Sequence, residues 1–319
     1  MTVSLRITRR WPEEAMAAAA ERFDVTGNPD DVPLGSDGLR EALARYDIVC
    51  PTITDRIDAA LLAGPIRARA LCSVGAGTNH IDLAAARAAG LIVTNTPDVT
   101  TNETADLAIL LMMTCARRAS EGERLLRSGG WTGWAPTQLL GRRLRGATLG
   151  IVGFGRIGQA TAQRAKAGLG MRILYASRSP SPAAAETGAE RVELDELFAR
   201  ADVVSLHVPG GTDTRNIVDA RRLALMKRDA ILVNTARGDL IDQEALAATL
   251  AERRILAAGL DVYAEEPSVP ASLLALENAV LLPHLGSATR ETRTDMLMRA
   301  LANAQAVAAG DAPPDIVPA

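Results

Sequence analysis

The sequence predicts an α/β protein of two lobes, each a parallel β-sheet covered by helices, with Rossmann-like or flavodoxin-like topology. Three observations lead there. Short strand-like runs alternate with helical ones along most of the 319 residues, the order that yields parallel sheets rather than hairpins. Residues 148–158, TLGIVGFGRIG, set a Gly153-Phe154-Gly155-Arg156-Ile157-Gly158 turn between an apolar strand-like run and a helix-like run, the setting in which this glycine pattern is a dinucleotide fingerprint. The length also suits two domains of ordinary size.

The first hundred residues read as one compact unit. Residues 3–7 form a strand, 12–22 an Ala-rich helix opened by Pro12, and 23–25 a short strand. A polar, turn-rich loop follows over 27–38. Then come a helix over 38–44, a strand over 47–50, a helix over 55–63, a strand over 70–74, a helix over 83–89 and a strand over 91–95.

After Thr96-Pro97 the character changes. One long helix is expected over 101–127, with Glu103 and Asp106 early and Arg117, Arg118, Arg124 and Arg127 late, the order the helix dipole favours. Its middle, LAILLMMTCA, is apolar nearly all round, so it needs cover from more than one neighbour, within the subunit or from a second one. A loop over 128–147 holds Trp131 and Trp134, two of only three tryptophans. The second unit then places strands at 148–152, 172–176, 203–206, 230–234, 257–260 and 279–282. An amphipathic helix over 290–309 closes the chain, and the tail DAPPDIVPA is expected to fray.

Composition excludes several classes. Apolar residues are 48% and charged ones 23%, which is globular. The net charge of −3 without a Lys/Arg-rich run argues against a nucleic-acid partner. No apolar stretch approaches the roughly 20 residues of a membrane span, and the N-terminus lacks the apolar core of a signal peptide. Cys50, Cys72 and Cys115 are too scattered for metal ligation; they read as small buried hydrophobes of a cytoplasmic protein.

In open α/β sheets, ligands sit beyond the carboxyl ends of the strands. In the second unit those ends carry Ser177-Arg178-Ser179, His207-Val208-Pro209, Thr235-Ala236-Arg237-Gly238, Asp261 with Glu265-Glu266-Pro267, and Pro283-His284-Leu285-Gly286. An imidazole, a guanidinium and a carboxylate on one rim suit reduction of a 2-oxo acid. That reaction needs a proton donor for the developing alkoxide and a cation for the carboxylate and carbonyl. Arginine offers a permanently charged bidentate fork, and a carboxylate beside a histidine keeps its proton in place. Of the three histidines, His207 and His284 both follow strands, so position alone leaves them tied.

The ordered motifs VGFGRIG, HVP, NTARG, GLDVYAEEP and LPHLGSAT closely resemble those of the D-isomer-specific 2-hydroxyacid dehydrogenases over nearly the whole chain. That resemblance implies Arg237 as clamp, Glu266 as partner carboxylate and His284 as general acid/base, with His207 on the cofactor side, used through its backbone. It further implies a substrate carboxylate held by the amides of Val74 and Gly75, beside Ala76, and a cofactor site completed by Thr104, Val208, Pro209, Thr214, Thr235, Ala236, Asp261 and Gly286. The residues 131–136, WTGWAP, resemble the loop of the glyoxylate/hydroxypyruvate reductase branch, in which a tryptophan, here Trp134, reaches the partner subunit's substrate pocket. A small 2-oxo acid and a homodimer are therefore expected. Other family substrates, 2-ketogluconate, 3-phosphohydroxypyruvate and pyruvate, stay open. So do two weaker readings, a non-catalytic nucleotide-sensing co-repressor and oxidation of formate or phosphite.

The loop after the second strand of a dinucleotide-binding unit selects the nucleotide. An NAD enzyme offers an acidic residue there, whereas arginine receives a 2′-phosphate. Here Ala176 stands in that place, followed by Ser177, Arg178 and Ser179, which predicts NADPH over NADH. The expected substrate lobe is 1–97 completed by 288–319, and the cofactor lobe 98–287. The active site is expected in the cleft between lobes, closing about crossings at Pro97-Asp98 and Ser287.

Overall fold

The computed structural model describes residues 2–318; Met1 and Ala319, which the expected lobe limits include, lie outside the described residues. The chain divides into two compact units, Met1–Thr100 with Ala288–Ala319, and Thr101–Ser287.

The first unit contains β1 (Ser4–Ile7), α1 (Glu13–Ala20), β2 (Asp24–Thr26), α2 (Gly35–Arg45), β3 (Ile48–Cys50), α3 (Ala59–Leu62), β4 (Ala70–Cys72), α4 (Leu83–Ala88) and β5 (Ile92–Thr94). Its strands form one parallel sheet in the order β2-β1-β3-β4-β5. Every residue of β3 and β4 is buried, as expected of central strands covered on both faces. The helix expected over 55–63 starts only at Ala59, because the Asp55 carboxylate accepts the Thr52 N–H (2.7 Å) and the Thr8 hydroxyl instead. Asp58 then caps α3 by accepting the Leu61 N–H.

The second unit contains α5 (Thr101–Ala116), α6 (Ala119–Arg127), β6 (Thr148–Val152), α7 (Arg156–Leu169), β7 (Arg172–Ala176), α8 (Ala184–Thr187), β8 (Glu190–Arg191), α9 (Leu194–Arg200), β9 (Val203–Leu206), α10 (Ala220–Leu225), β10 (Ile231–Asn234), α11 (Gln243–Ala251), β11 (Ala257–Leu260), α12 (Ala271–Leu274) and β12 (Ala279–Leu281). The parallel sheet runs β12-β11-β10-β9-β6-β7-β8. Strand order therefore reverses between β6 and β9, the switch point at which such sheets bind ligands. The short edge strand β8 is a feature the sequence reading lacked.

The single helix expected over 101–127 is two helices. Arg118 has φ +51°, the Ala116 carbonyl accepts the Arg142 N–H at 2.7 Å, and the Arg118 guanidinium forks onto Glu121. A loop residue thus takes the acceptor that the helix would need to continue. One face of α5, including Leu111 and Cys115, packs against the glycine-bearing strand β11. On this chain Leu110 and Met113 remain exposed.

The final helix, α13 (Arg290–Ala309), belongs to the first unit and buries Met296, Leu297, Ala300, Leu301 and Ala304 in the core of its sheet. The tail expected to fray is docked instead. Val317 N–H donates to Val93 O, Asn95 N–H donates to Asp315 O, and the Asp315 carboxylate accepts from Arg299 and Asn303. No helix of the described residues is long and apolar enough to cross a membrane.

Candidate active site

The rim at the carboxyl ends of β6, β7, β9, β10 and β11 begins with the glycine turn. Gly153 has φ +92°, and a Cβ there would lie 2.6 Å from His207 O. A Cβ on Gly158 would overlap the Gly153 carbonyl oxygen. Strand and helix therefore meet too closely for side chains, as the fingerprint requires. Around Gly155 there is open space within 4 Å of a would-be Cβ, and no side chain caps α7. The helix start thus presents amides and a positive dipole end to that space. The Thr235 hydroxyl, at the end of β10, is buried with no partner among the described residues. An open cradle and an orphaned buried hydroxyl on one rim fit a pyrophosphate-bearing dinucleotide. Ile157 is half-buried and Arg156 exposed, whereas Phe154 turns inward, its ring centroid 4.3 Å from that of Tyr175. The Phe154 carbonyl accepts from Gln159 Nε2 at 2.8 Å.

Beyond β7 the chain turns through Ser177, Arg178 and Ser179. The Ser177 hydroxyl donates to Ser179 O at 2.6 Å, and Arg178 is exposed. Neither an acidic side chain nor a bulky one stands at Ala176, which is buried at the strand end.

The polar trio lies at the ends of β10, β11 and β12. Glu266 and His284 meet, Oε2 to Nδ1, at 2.8 Å. Beside a carboxylate, Nδ1 carries the hydrogen and donates it, which leaves Nε2 to exchange a proton with a ligand. The Tyr263 N–H donates to Glu266 Oε1 at 3.0 Å. Burial pushes the Glu266 carboxyl up, yet the His284 hydrogen bond and charge, the Tyr263 amide and the Arg237 charge outweigh it and hold the group below its ordinary range. Arg237 is pulled down by burial, against the opposing charges of Glu266 and Asp239. Its Nη1 donates to Ala236 O at 2.6 Å. Asn234 shapes this loop, donating from Nδ2 to Arg237 O and accepting the Ala236 N–H.

Residues 109–286 match the family described as D-isomer specific 2-hydroxyacid dehydrogenase, NAD binding domain. The chain belongs to the D-isomer specific 2-hydroxyacid dehydrogenase family. A glyoxylate reductase of Thermococcus litoralis is 42% identical over 318 residues, 98% of this chain and 95% of that protein. A protein of Thermus thermophilus has a crystal structure with TM-score 0.91 and 42% identity, over 99% of this chain and 100% of that one. An NADPH-dependent glyoxylate/hydroxypyruvate reductase from Sinorhizobium meliloti, solved with NADP and malonate, matches with TM-score 0.88 and 29% identity, over 99% and 97% of the two chains. This 2-hydroxyacid dehydrogenase is thus an NAD(P)-dependent oxidoreductase acting on CH–OH.

In this dehydrogenase the two tied histidines part company. His207 Nε2 lies 2.9 Å from Ser205 Oγ, and burial pulls the ring down to about 4. Among the described residues it has no carboxylate partner comparable to Glu266, and its backbone N–H donates to Val152 O. Val208 is half-buried beside it, and Pro209 O accepts the Thr214 hydroxyl at 2.6 Å. Asp261 is fully buried, its two carboxylate oxygens accepting the Leu285 and Gly286 N–H groups. Burial pushes its carboxyl up despite those bonds. Thr104 donates to Gly286 O, so Thr104, Asp261 and Gly286 satisfy one another and build the His284 loop.

The turn after β4 corrects one expectation. The Val74 N–H donates to Pro51 O at 2.8 Å as an extension of the sheet, so Val74 cannot offer that amide to a ligand. The amides of Gly75, Ala76 and Gly77 have no backbone or side-chain acceptor among the described residues, and Ala76 is the exposed one. Trp134 is 82% exposed on this chain.

Sequence reasoning assigned no role to Asn234, Asp239 or Tyr263. Asn234 opens the NTARG motif and Asp239 follows it directly, so motif membership and adjacency were usable signals. Tyr263 lies inside GLDVYAEEP but acts on Glu266 through its backbone, which no side-chain pattern marks.

Proposed function

We propose that this enzyme reduces a small 2-oxo acid of the glyoxylate/hydroxypyruvate type to the D-2-hydroxy acid, with NADPH preferred over NADH. The observation that carries the reading is the His284–Glu266 pair, 2.8 Å apart, on the same rim as the buried cation Arg237. Relatives at 42% identity are glyoxylate reductases. A bound reduced nicotinamide supplies the hydride for the 2-carbon. His284 Nε2 delivers the proton to the carbonyl oxygen as negative charge develops there, and Glu266 keeps the ring oriented through Nδ1. Arg237 binds the substrate carboxylate and polarises the carbonyl; its buried surroundings strengthen that attraction. Gly155 and the first turn of α7 hold the pyrophosphate, Thr235 and Ala236 line the cofactor side, and Ser177, Arg178 and Ser179 hold the 2′-phosphate.

The active assembly is a homodimer in this reading. Leu110, Met113, Leu126, Trp131, Trp134 and Leu140 are large hydrophobics exposed on one unit, apolar surface that a partner subunit would cover. Trp134 supplies a wall of the partner's substrate pocket. The unit Thr101–Ser287 is the cofactor domain. A cytoplasmic setting suits three free buried cysteines.

Steady-state reduction of glyoxylate, hydroxypyruvate, pyruvate and 2-ketogluconate with each nucleotide tests the proposal. Glyoxylate or hydroxypyruvate with NADPH gives the highest kcat/KM. A higher value for pyruvate or 2-ketogluconate, or a lower KM for NADH than for NADPH, rejects it.

A further inference from the structure

The edge strand β8 exists for two residues, Glu190 and Arg191, paired to Leu174 and Tyr175 of β7. Glu190 is pinned by a bidentate ion pair with Arg200, both contacts at 2.8 Å. Arg191 reaches back to the turn that follows β7. Its Nη2 donates to Ser177 O at 3.0 Å and to Arg178 O at 3.2 Å, and its Nε donates to Ser177 O at 3.3 Å. A planar trans peptide points its C=O and the next N–H in opposite directions. With the carbonyls of 177 and 178 turned toward the guanidinium, the N–H groups of Arg178 and Ser179 point away from it. Among the described residues neither N–H has an acceptor. The Ser177 hydroxyl closes the same turn on Ser179 O, and residue 180 is proline, which offers no N–H. The result is two successive outward amides next to the Arg178 side chain, an arrangement that favours a compact anion.

We propose that Arg191 is the positioning residue of nucleotide selection: by clamping the carbonyls of Ser177 and Arg178 it turns the Arg178 and Ser179 amides toward the 2′-phosphate of NADP(H). This rests on the proposed NADPH reading and adds to it a residue that does not itself bind the phosphate. The clamp needs a planar fork reaching two carbonyls at once, which lysine, a point charge on a flexible stem, does not reproduce. Positive charge alone would be restored by lysine, so the two effects separate.

The test is calorimetric titration of NADP⁺ and NAD⁺ into wild type, Arg191→Met, Arg191→Lys and Arg178→Ala, with thermal melting to verify folding and with kcat measured at saturating nucleotide. Wild type binds NADP⁺ more tightly than NAD⁺. Arg191→Met weakens NADP⁺ about tenfold, the scale of a charge-assisted hydrogen bond. NAD⁺ affinity and kcat stay within about twofold in that variant, and Arg191→Lys retains most of the loss. Arg178→Ala loses the preference directly. Wild type without a preference for NADP⁺ overturns the NADPH reading and this inference with it. A wild-type preference that survives Arg191→Met, a Lys variant equal to wild type, or equal weakening of both nucleotides overturns the inference alone.

Discussion

His284 bonds to Glu266 across 18 residues, Nδ1 to Oε2 2.8 Å, from a backbone held in the left-handed region at φ +57°. A non-glycine residue there carries strain of about 1–3 kcal/mol that its surroundings must hold in place. They do so through Asp261, whose carbonyl accepts the His284 N–H and whose carboxylate accepts the next two amides.

Replacing Glu266 by Gln removes the carboxylate that meets His284 Nδ1 while keeping the side chain's shape. The His284 ring then loses its orientation, and kcat for 2-oxo acid reduction at neutral pH falls by about 10- to 100-fold. The carboxylate of wild type lies below its ordinary range, so it stays ionised throughout neutral and mildly acidic pH. Steady-state kcat of wild type and variant at pH 7 provides the check; an unchanged kcat contradicts the pairing.

Asp261→Asn leaves one acceptor oxygen where two amides now bond. Freed of that hold, the His284 loop loses its geometry. The expected result is a drop in kcat of about tenfold or more with the substrate KM changed far less, since misplacement of a proton donor acts on the transition state. Steady-state kinetics under saturating nucleotide reads this split.

Arg237→Lys retains charge but not the bidentate fork. Both KM for the 2-oxo acid and kcat should worsen, by a combined factor of about 100 or more in kcat/KM. Arg237→Ala should be worse still, with NADP⁺ affinity little altered in titration.

The docked tail predicts a stability effect. The Asp315 side chain is 4% exposed and accepts two hydrogen bonds from Arg299 at 2.6 and 2.7 Å. Asp315→Asn should cost about 1–3 kcal/mol at pH 7. Chiefly the Arg299 hydrogen bond, against the opposing effect of burial, holds this carboxyl below its ordinary 3.8. A depressed folded pKa contributes stability that is present above the ordinary value and is lost as pH falls through the folded one. The difference between wild type and variant therefore narrows below about pH 3.8, as urea unfolding at several pH values would read.

What the sequence made legible was local. The glycine turn and the loops after the strands need only neighbouring residues to be recognised, and β6, β7, β9 and β11 lie where periodicity put them. What escaped depends on distant partners. The break at Arg118 is made by an amide from Arg142 on the Ala116 carbonyl. Docking of the tail depends on Arg299 and Asn303. The Val74 amide is taken by Pro51 on the neighbouring strand. Position alone could not separate His207 from His284; the partners do, a hydroxyl for one and a carboxylate for the other.

The most direct test of the central claim compares wild type with His284→Gln for glyoxylate reduction by NADPH, alongside NADP⁺ titration. The variant is expected to lose about 10²-fold or more in kcat with NADP⁺ affinity unchanged, the scale of general acid catalysis. A His284→Gln enzyme that reduces glyoxylate at the wild-type rate would contradict that claim.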